Sequence, residues 1–221
     1  MSPEIINQLV YATWQTLYMV GIAGLIGTLL GLPLGVFLAT SRAGEILAAP
    51  AVNRAIGAVV NATRSTPFII LVVAIIPFTR LVVGTSIGTS AAIVPLTVAA
   101  APFIARIIES ALREVDPGLI EAARAMGATP LQIVRKVLLP EARPSIVLGL
   151  TLSAVSLISY SAMVGAVGGG GLGDLGIRYG YQRFMPEVMA AVVVLLIVFV
   201  QSVQSAGDAL ARRFDRRARR G

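Results

Sequence analysis

Four long stretches without a charged residue constrain this chain more than any other feature. Each supplies the roughly 20 residues that an α-helix needs to cross the hydrocarbon core of a bilayer. Charged residues make up only 13% of the chain and apolar residues 56%, whereas soluble domains carry about 25% charged residues. The pattern therefore predicts an all-α integral membrane protein. The four stretches cover residues 14–40, 81–105, 144–173 and 188–207.

A fifth span is predicted over residues 56–77, where Asn61 and Arg64 interrupt an otherwise apolar sequence. An arginine costs about 3 kcal/mol at the bilayer centre, while each large aliphatic or Phe residue contributes about 0.3–0.6 kcal/mol towards insertion. About ten such residues offset one arginine, especially if Arg64 lies near an end and extends to the interface. We therefore expect about five helices, over residues 14–40, 57–79, 82–106, 145–167 and 188–207.

The distribution of positive charge predicts the orientation. Successive loops between spans lie on alternate sides of the membrane. Of the 18 Lys and Arg residues, 15 then fall on one side, and three, namely Arg80, Arg178 and Arg183, fall on the other. The positive-inside rule assigns the larger group to the cytoplasm. Residues 1–13 are then an external N-terminus, residues 14–207 the transmembrane domain, and residues 208–221 a basic cytoplasmic tail that we expect to contact anionic membrane lipid.

The missing residue types exclude several function classes. The chain has no Cys and no His, so disulfides, imidazole or thiolate metal sites and Ser–His–Asp or Cys–His catalysis are excluded. It contains no P-loop motif for ATP. The glycine-rich segment 168–173 matches a dinucleotide-binding pattern but follows no predicted strand, so we interpret it as a flexible or tightly turned external loop. We predict a non-enzyme without a metal site or cofactor of its own.

Two patterns inside the spans suggest helix contacts or a solute path. Gly27, Gly31 and Gly35 repeat every fourth residue, which favours close packing of another helix. A second set lies on one face of the fourth span and could line a path for a polar solute. Alternatively, its serines bond to their own helix or join two helices, and its methionine packs as an ordinary apolar residue. This set comprises Ser156, Ser159, Tyr160 and Met163.

The segment 109–143 between the third and fourth spans predicts two short helices. Asp116–Pro117 and Thr129–Pro130 are start signals. The first helix should run over residues 118–126 and end at Gly127, and the second should run towards Leu139, before Pro140. Five basic and five acidic residues leave the segment neutral, which argues against nucleic-acid binding because that depends on neutralising phosphates. A short amphipathic helix in such a loop suggests a docking element.

One spacing in this segment resembles the EAA loop of ABC-importer permeases. Glu121-Ala122-Ala123, three residues, Gly127, nine residues and then Val137-Leu138-Leu139-Pro140 match that motif, with Val137 in place of isoleucine. The remainder resembles the permeases of methionine importers over nearly the whole chain, least in the first span, the fifth span and the tail. The passages that carry this second resemblance are residues 64–70, 76–80, 83–88, 91–97, 101–106 and 160–163.

The resemblance implies a machine with several subunits in the bacterial inner membrane. Such permeases form homodimers, bind two cytoplasmic ATPase subunits that hold ATP and Mg, and receive solute from an external substrate-binding protein. Segment 109–143 would then be a coupling loop that sits in a groove on the ATPase, and Met163 would lie at a gate. The expected solute is L-methionine, with D-methionine as an extension. The implied ATPase-coupling residues are Glu121, Ala122, Ala123, Gly127 and Pro140.

Two other functions remain open on the sequence. The chain could be the permease of an ABC importer for another amino acid or small solute, since substrate choice can rest in the binding protein. It could also be an ATP-independent channel. A membrane-embedded enzyme is disfavoured, because the spans contain no His, Cys or carboxylate pair.

Overall fold

Long apolar helices form the body of the protein. The structure, a computed structural model, describes residues 2–214, and these residues form helices and turns without a strand. Two π-helical segments, Val134–Leu138 and Gly176–Tyr181, join neighbouring helices. The α-helices are α1 (Pro3–Thr40), α2 (Pro50–Ser65), α3 (Phe68–Ala74), α4 (Ile76–Val83), α5 (Thr89–Arg113), α6 (Pro117–Ala125), α7 (Pro130–Ile133), α8 (Leu139–Glu141), α9 (Arg143–Ala166), α10 (Gly171–Leu175) and α11 (Pro186–Phe214).

Four of these helices, α1, α5, α9 and α11, are long and apolar enough to cross a membrane, and α2 with α3 makes a fifth, bent candidate. The sequence predicted a span over residues 57–79, but this region is not one straight helix: α2 and α3 meet at an angle of 105°. Proline disfavours helical geometry in the residue before it, and Thr66, before Pro67, is extended with ψ 126°.

Other helix limits also differ from the predicted ones. The first helix begins at Pro3, so residues 3–13 continue the first span as helix. The third begins at Thr89 and not at residue 82, because the chain turns at Gly84 and Gly88, whose φ angles are +82° and +96°. The basic tail is described only as far as Phe214, the last described residue of α11; the rest of the predicted tail lies outside the described residues.

Helices α1 and α5 run in the same direction and pack closely along the predicted glycine row. Gly27 faces Ala100, Gly31 faces Ala101 and Ile104, and Gly35 faces Ala105 and Ile108. A Cβ atom on Gly31 would lie 2.7 Å from the Ala101 carbonyl oxygen, which is closer than two such atoms can approach. The row thus serves helix packing, and it places the ends of both helices together where the coupling loop begins.

The opposite end of the molecule is closed by the glycine-rich turn and α10. The amide of Gly88 donates to the Gly168 carbonyl over 2.9 Å, which joins the start of α5 to the end of α9. Side chains of α1 cap α10: Gln15 Oε1 accepts from Gly171 N at 3.0 Å and Thr16 Oγ1 from Leu172 N at 2.9 Å. Segment 168–173 is therefore a packed turn at a helix start, as its interpretation as a turn requires.

Candidate functional site: the coupling loop and the polar face of α9

The first helix of the coupling loop begins and ends through local bonds. Asp116 Oδ1 accepts from the Gly118 amide at 2.8 Å, which caps α6. At the other end Gly127 adopts φ +75°. Its amide donates to the Arg124 carbonyl at 2.9 Å, and the next amide, of Ala128, donates to the Ala123 carbonyl at 3.0 Å. This pair of bonds is a Schellman motif. The predicted start and the predicted stop at Gly127 are both confirmed.

The second helix begins as predicted but continues further. Thr129 Oγ1 accepts from the Gln132 amide at 3.4 Å, and Gln132 Oε1 accepts from the Thr129 amide at 2.9 Å. These bonds form a capping box. The predicted end before Pro140 is wrong. The backbone widens into the π-helical segment, where the Leu139 amide donates to the Val134 carbonyl, and helical turns continue through Pro140 into α9. The loop is thus joined to α9 by nearly continuous helix.

The coupling residues are divided between an exposed surface and its support. Glu121, Ala122 and Gly127 are exposed. Ala123 is only 4% exposed and belongs to a buried cluster with Val134 and other residues of the second half of the loop. The small side chain of Ala123 therefore lets α6 lie flat on the rest of the loop. Pro140 is half-buried at the junction with α9.

A large apolar side chain at each end of α6 is left uncovered in the single chain. Met126 is 81% exposed and Leu119 is 43% exposed. A surface with this composition, next to an acidic residue at Glu121, is suited to contact another protein.

A buried carboxylate fixes the base of the coupling loop. Glu109, 3% exposed, accepts a hydrogen bond from Arg42 Nη2 at 2.7 Å, and its other oxygen accepts from Arg106. Arg113 Nη1 lies 3.9 Å from Glu109. The ion pairs join the end of α1 to the end of α5. Sequence reasoning counted these arginines only for orientation. The spacing of three and four residues from Glu109 could have predicted two of the pairs, but not the pair with Arg42.

The predicted polar face of α9 is only partly brought together. Ser156 and Ser159 donate to the carbonyls of Leu152 and Val155 at 2.9 and 3.5 Å, which is the self-bonding alternative. Ser159 borders a cavity of about 250 Å³ between α9 and α11 that also includes Gln201. Tyr160 instead faces α3, and Met163 is 46% exposed. In one chain the four side chains therefore do not share a single cavity.

Phe68 is the neighbour of this face that sequence reasoning missed. Its ring stacks on Tyr160 with centroids 4.4 Å apart and an interplanar angle of 12°. The residue directly follows the Thr66–Pro67 break, so the proline was the available signal that the chain turns inward there. The stack links the bent span to α9.

No metal centre is built from the described part of the chain. Residues 2–214 contain no group of three or more Asp or Glu side chains close enough to hold a metal ion.

The chain is similar in sequence to several known proteins. Residues 31–220 match the family described as binding-protein-dependent transport system inner membrane component. A relative from Vibrio cholerae, named a probable D-methionine transport system permease protein MetI, is 63% identical over 95% of this chain and 93% of its own length. The corresponding protein of Escherichia coli K12 is 57% identical over 75% of this chain and 76% of its own.

Solved structures give the same result. A chain of the MetNI methionine ABC transporter in an inward-facing conformation is 55% identical, with a TM-score of 0.96 over 98% of this chain and all of that one. A chain of an amino acid ABC transporter is 22% identical with a TM-score of 0.78 over 95% of each chain, and it shares the fold.

Proposed function

Because the chain belongs to the family of inner membrane components of binding-protein-dependent transport systems, we propose that it is the membrane-spanning permease subunit of an ATP-driven methionine importer. The single observation that carries the proposal is the coupling loop. Glu121, Ala122 and Ala123 lie on a capped helix that exposes Glu121 and Ala122, and this helix is joined through α8 to the helix with the polar face. The high identity to permeases named for D-methionine transport supports methionine, in L and D forms, as the solute.

The energy for import must come from another subunit. ABC transport consumes ATP, and this chain has no P-loop to bind it. ATP and Mg therefore belong to a cytoplasmic ATPase, which we propose docks on Glu121, Ala122 and Gly127, with the exposed side chain of Met126 at the edge of the contact. The loop end of the molecule is then the cytoplasmic end.

Movement of the docked loop would reach the solute path by two routes. One is the helical connection through Pro140 into α9. The other is the ion-pair cluster at Glu109, which carries displacement of the loop base to the end of α1. The first route leads to α9, the helix that carries the polar face, and the second leads to α1, which packs against α9. A machine of this kind alternates between outward and inward openings.

A second copy of the chain and an external binding protein complete the proposal. Met163, on the polar face of α9, is 46% exposed in one chain, whereas the most apolar stretch of α11, only 11% buried, is suited to contact lipid. A second permease placed against this side would enclose the polar face, while the remaining apolar surface contacts lipid. The binding protein would deliver methionine at the end closed by α10.

Reconstitution tests the proposal. The chain is co-purified with its ATPase and placed in vesicles with the binding protein and labelled methionine. We expect that uptake of the labelled methionine requires ATP and that unlabelled L- or D-methionine reduces it by competition. Uptake without ATP would support a channel instead. Uptake of a different amino acid in preference to methionine would support the permease of an ABC importer for that amino acid.

A further inference from the structure

A basic cavity lies at the coupling-loop end, between the end of α1, the first turns of α2, and α5. It has a volume of about 600 Å³. Its lining includes three guanidinium groups and two side-chain amides, and no carboxylate of the described residues 2–214 lines it. The groups belong to Arg42, Arg54, Arg106, Asn53 and Asn61.

Two of the guanidinium groups are held in place from outside the cavity. Glu109, which is not part of the lining, accepts from both Arg42 and Arg106. Arg106 Nη2 also donates to the Gly57 carbonyl at 3.0 Å, while its Nε atom is buried without a hydrogen-bond partner. Arg106 is therefore held in a fixed position at the cavity wall.

The third guanidinium and the adjacent helix add positive potential. Arg54 is exposed and makes one long hydrogen bond, at 3.4 Å, to the Pro50 carbonyl of its own helix. Helix α2 begins at Pro50 without a side-chain cap, so the partial positive charge of its N-terminus is uncompensated beside the cavity. Three arginines against one carboxylate leave a net positive site whose donors suit an anion with several oxygens.

The depth of the cavity fits the membrane surface. The charge-free stretch of α1 ends at Thr40, two residues before Arg42, and that of α5 ends directly before Arg106. The cavity is thus at the level where the apolar core meets the polar surface. Phosphate groups of lipids lie at this level, and basic pockets between transmembrane helices bind them.

We infer that this cavity binds a phosphate group, presented by an anionic phospholipid headgroup or by a soluble phosphate compound. The inference does not depend on the transported solute. A bound phosphate bridges α2 to the ends of α1 and α5, and so it steadies the base of the coupling loop from the side opposite Glu109.

The test uses the full-length chain in nanodiscs of phosphatidylcholine doped with phosphatidylglycerol or cardiolipin, with retained lipids counted by native mass spectrometry. Arg54→Gln removes a donor that pairs with no carboxylate of residues 2–214, and we expect about five-fold weaker retention of anionic lipid. Ala58→Trp fills the cavity without changing its charge and should weaken retention as much. Arg143→Gln makes the same charge change at an exposed residue outside the cavity and should leave retention unchanged.

The outcomes separate a site from a diffuse charge effect. Unaltered retention in Ala58→Trp, or equal losses in Arg54→Gln and Arg143→Gln, would overturn the inference, provided that circular dichroism shows each variant folded. Inorganic phosphate then identifies the source. If millimolar phosphate displaces the lipid, a soluble phosphate compound is supported, and if the lipid stays bound, a headgroup is supported. If the parent chain retains neither anionic lipid nor inorganic phosphate, the site is refuted.

Discussion

Arg42 and Glu109 stand 67 positions apart in the chain, and their side chains meet at 2.7 Å, where the first and third spans end. The carboxylate is 3% exposed and also accepts from Arg106. A buried charge is tolerated only when it is paired. The cluster therefore holds the helix ends in one geometry at the place where the coupling loop begins.

Replacing Glu109 should destabilise the protein substantially. Glu109→Gln keeps the shape of the side chain but leaves Arg106 without its carboxylate. Breaking a buried ion pair lowers the free energy of unfolding by about 3 kcal/mol where, as here, some of the partners are partly exposed to solvent. Thermal unfolding in detergent, followed by circular dichroism, measures the change. Arg113→Gln is the control, since Arg113 lies 3.9 Å from the carboxylate and is half-exposed; an equally large loss there would contradict the cluster's importance.

Close packing of α1 on α5 predicts that alanine substitution destabilises the protein at one glycine of α1 and does not at another. A methyl group on Gly31 would meet the Ala101 carbonyl and Ile104, whereas one on Gly21 would meet nothing within 4 Å. Gly31→Ala should therefore destabilise by about 1–3 kcal/mol through overpacking. Gly21→Ala should be neutral or gain up to about 1 kcal/mol in helix propensity. Equal unfolding midpoints for the two variants would refute the packing argument.

Features set by neighbouring residues were predictable from the sequence. Asp116, Gly127 and Thr129 determine the ends of the short loop helices through bonds that span five residues at most. Preferences of this kind depend only on residues that are close in sequence and not on tertiary contacts, so the helix ends can be predicted from the sequence. The glycine row was predictable for a related reason, because its period matches the helix.

Features set by distant residues were not predictable. The bend between α2 and α3 puts Phe68 on Tyr160, 92 positions later, and the pairing of Arg42 with Glu109 depends on the packing of α1 against α5. Average hydropathy over residues 57–79 is the same for a straight and a bent helix, so it could not reveal the break. Likewise, helical periodicity placed Ser159 and Tyr160 on one face but could not show that α11 and α3 occupy its two edges.

The coupling proposal predicts that two changes in the loop abolish import without preventing insertion. Proline cannot adopt the φ of +75° found at Gly127 and would remove the amide that closes α6. Glu121→Lys reverses a charge on the exposed surface. We expect both Gly127→Pro and Glu121→Lys to lose methionine uptake while the ATPase continues to hydrolyse ATP, measured in the same reconstituted vesicles.

Each of these variants has a matched control. Gly84 also has a positive φ, +82°, at a helix end, and its amide bonds back to Arg80, but it lies outside the loop. Glu114 is an exposed acid of the loop outside the motif. Gly84→Pro and Glu114→Lys should keep most of the uptake. If the loop variants transport normally, or the controls lose as much, the assignment of the coupling residues fails.

Cysteine substitution can decide whether the polar face of α9 borders water. The chain has no cysteine of its own, so a single introduced thiol is the only target for a water-soluble thiol reagent. Such reagents attack the thiolate, which forms in water and not in lipid. If the face lines the solute path, Met163→Cys and Ser156→Cys should react roughly ten-fold faster than a cysteine of similar exposure on a lipid-facing surface. Val194, 57% exposed in the single chain against 46% for Met163, provides that comparison on α11.

Saturating methionine should slow the reaction at Met163→Cys and leave Val194→Cys unchanged, because only the first thiol would share its space with the solute. Equal rates at the two positions would instead mean that this face meets lipid or a second protein, and that the serines bond only to their own helix.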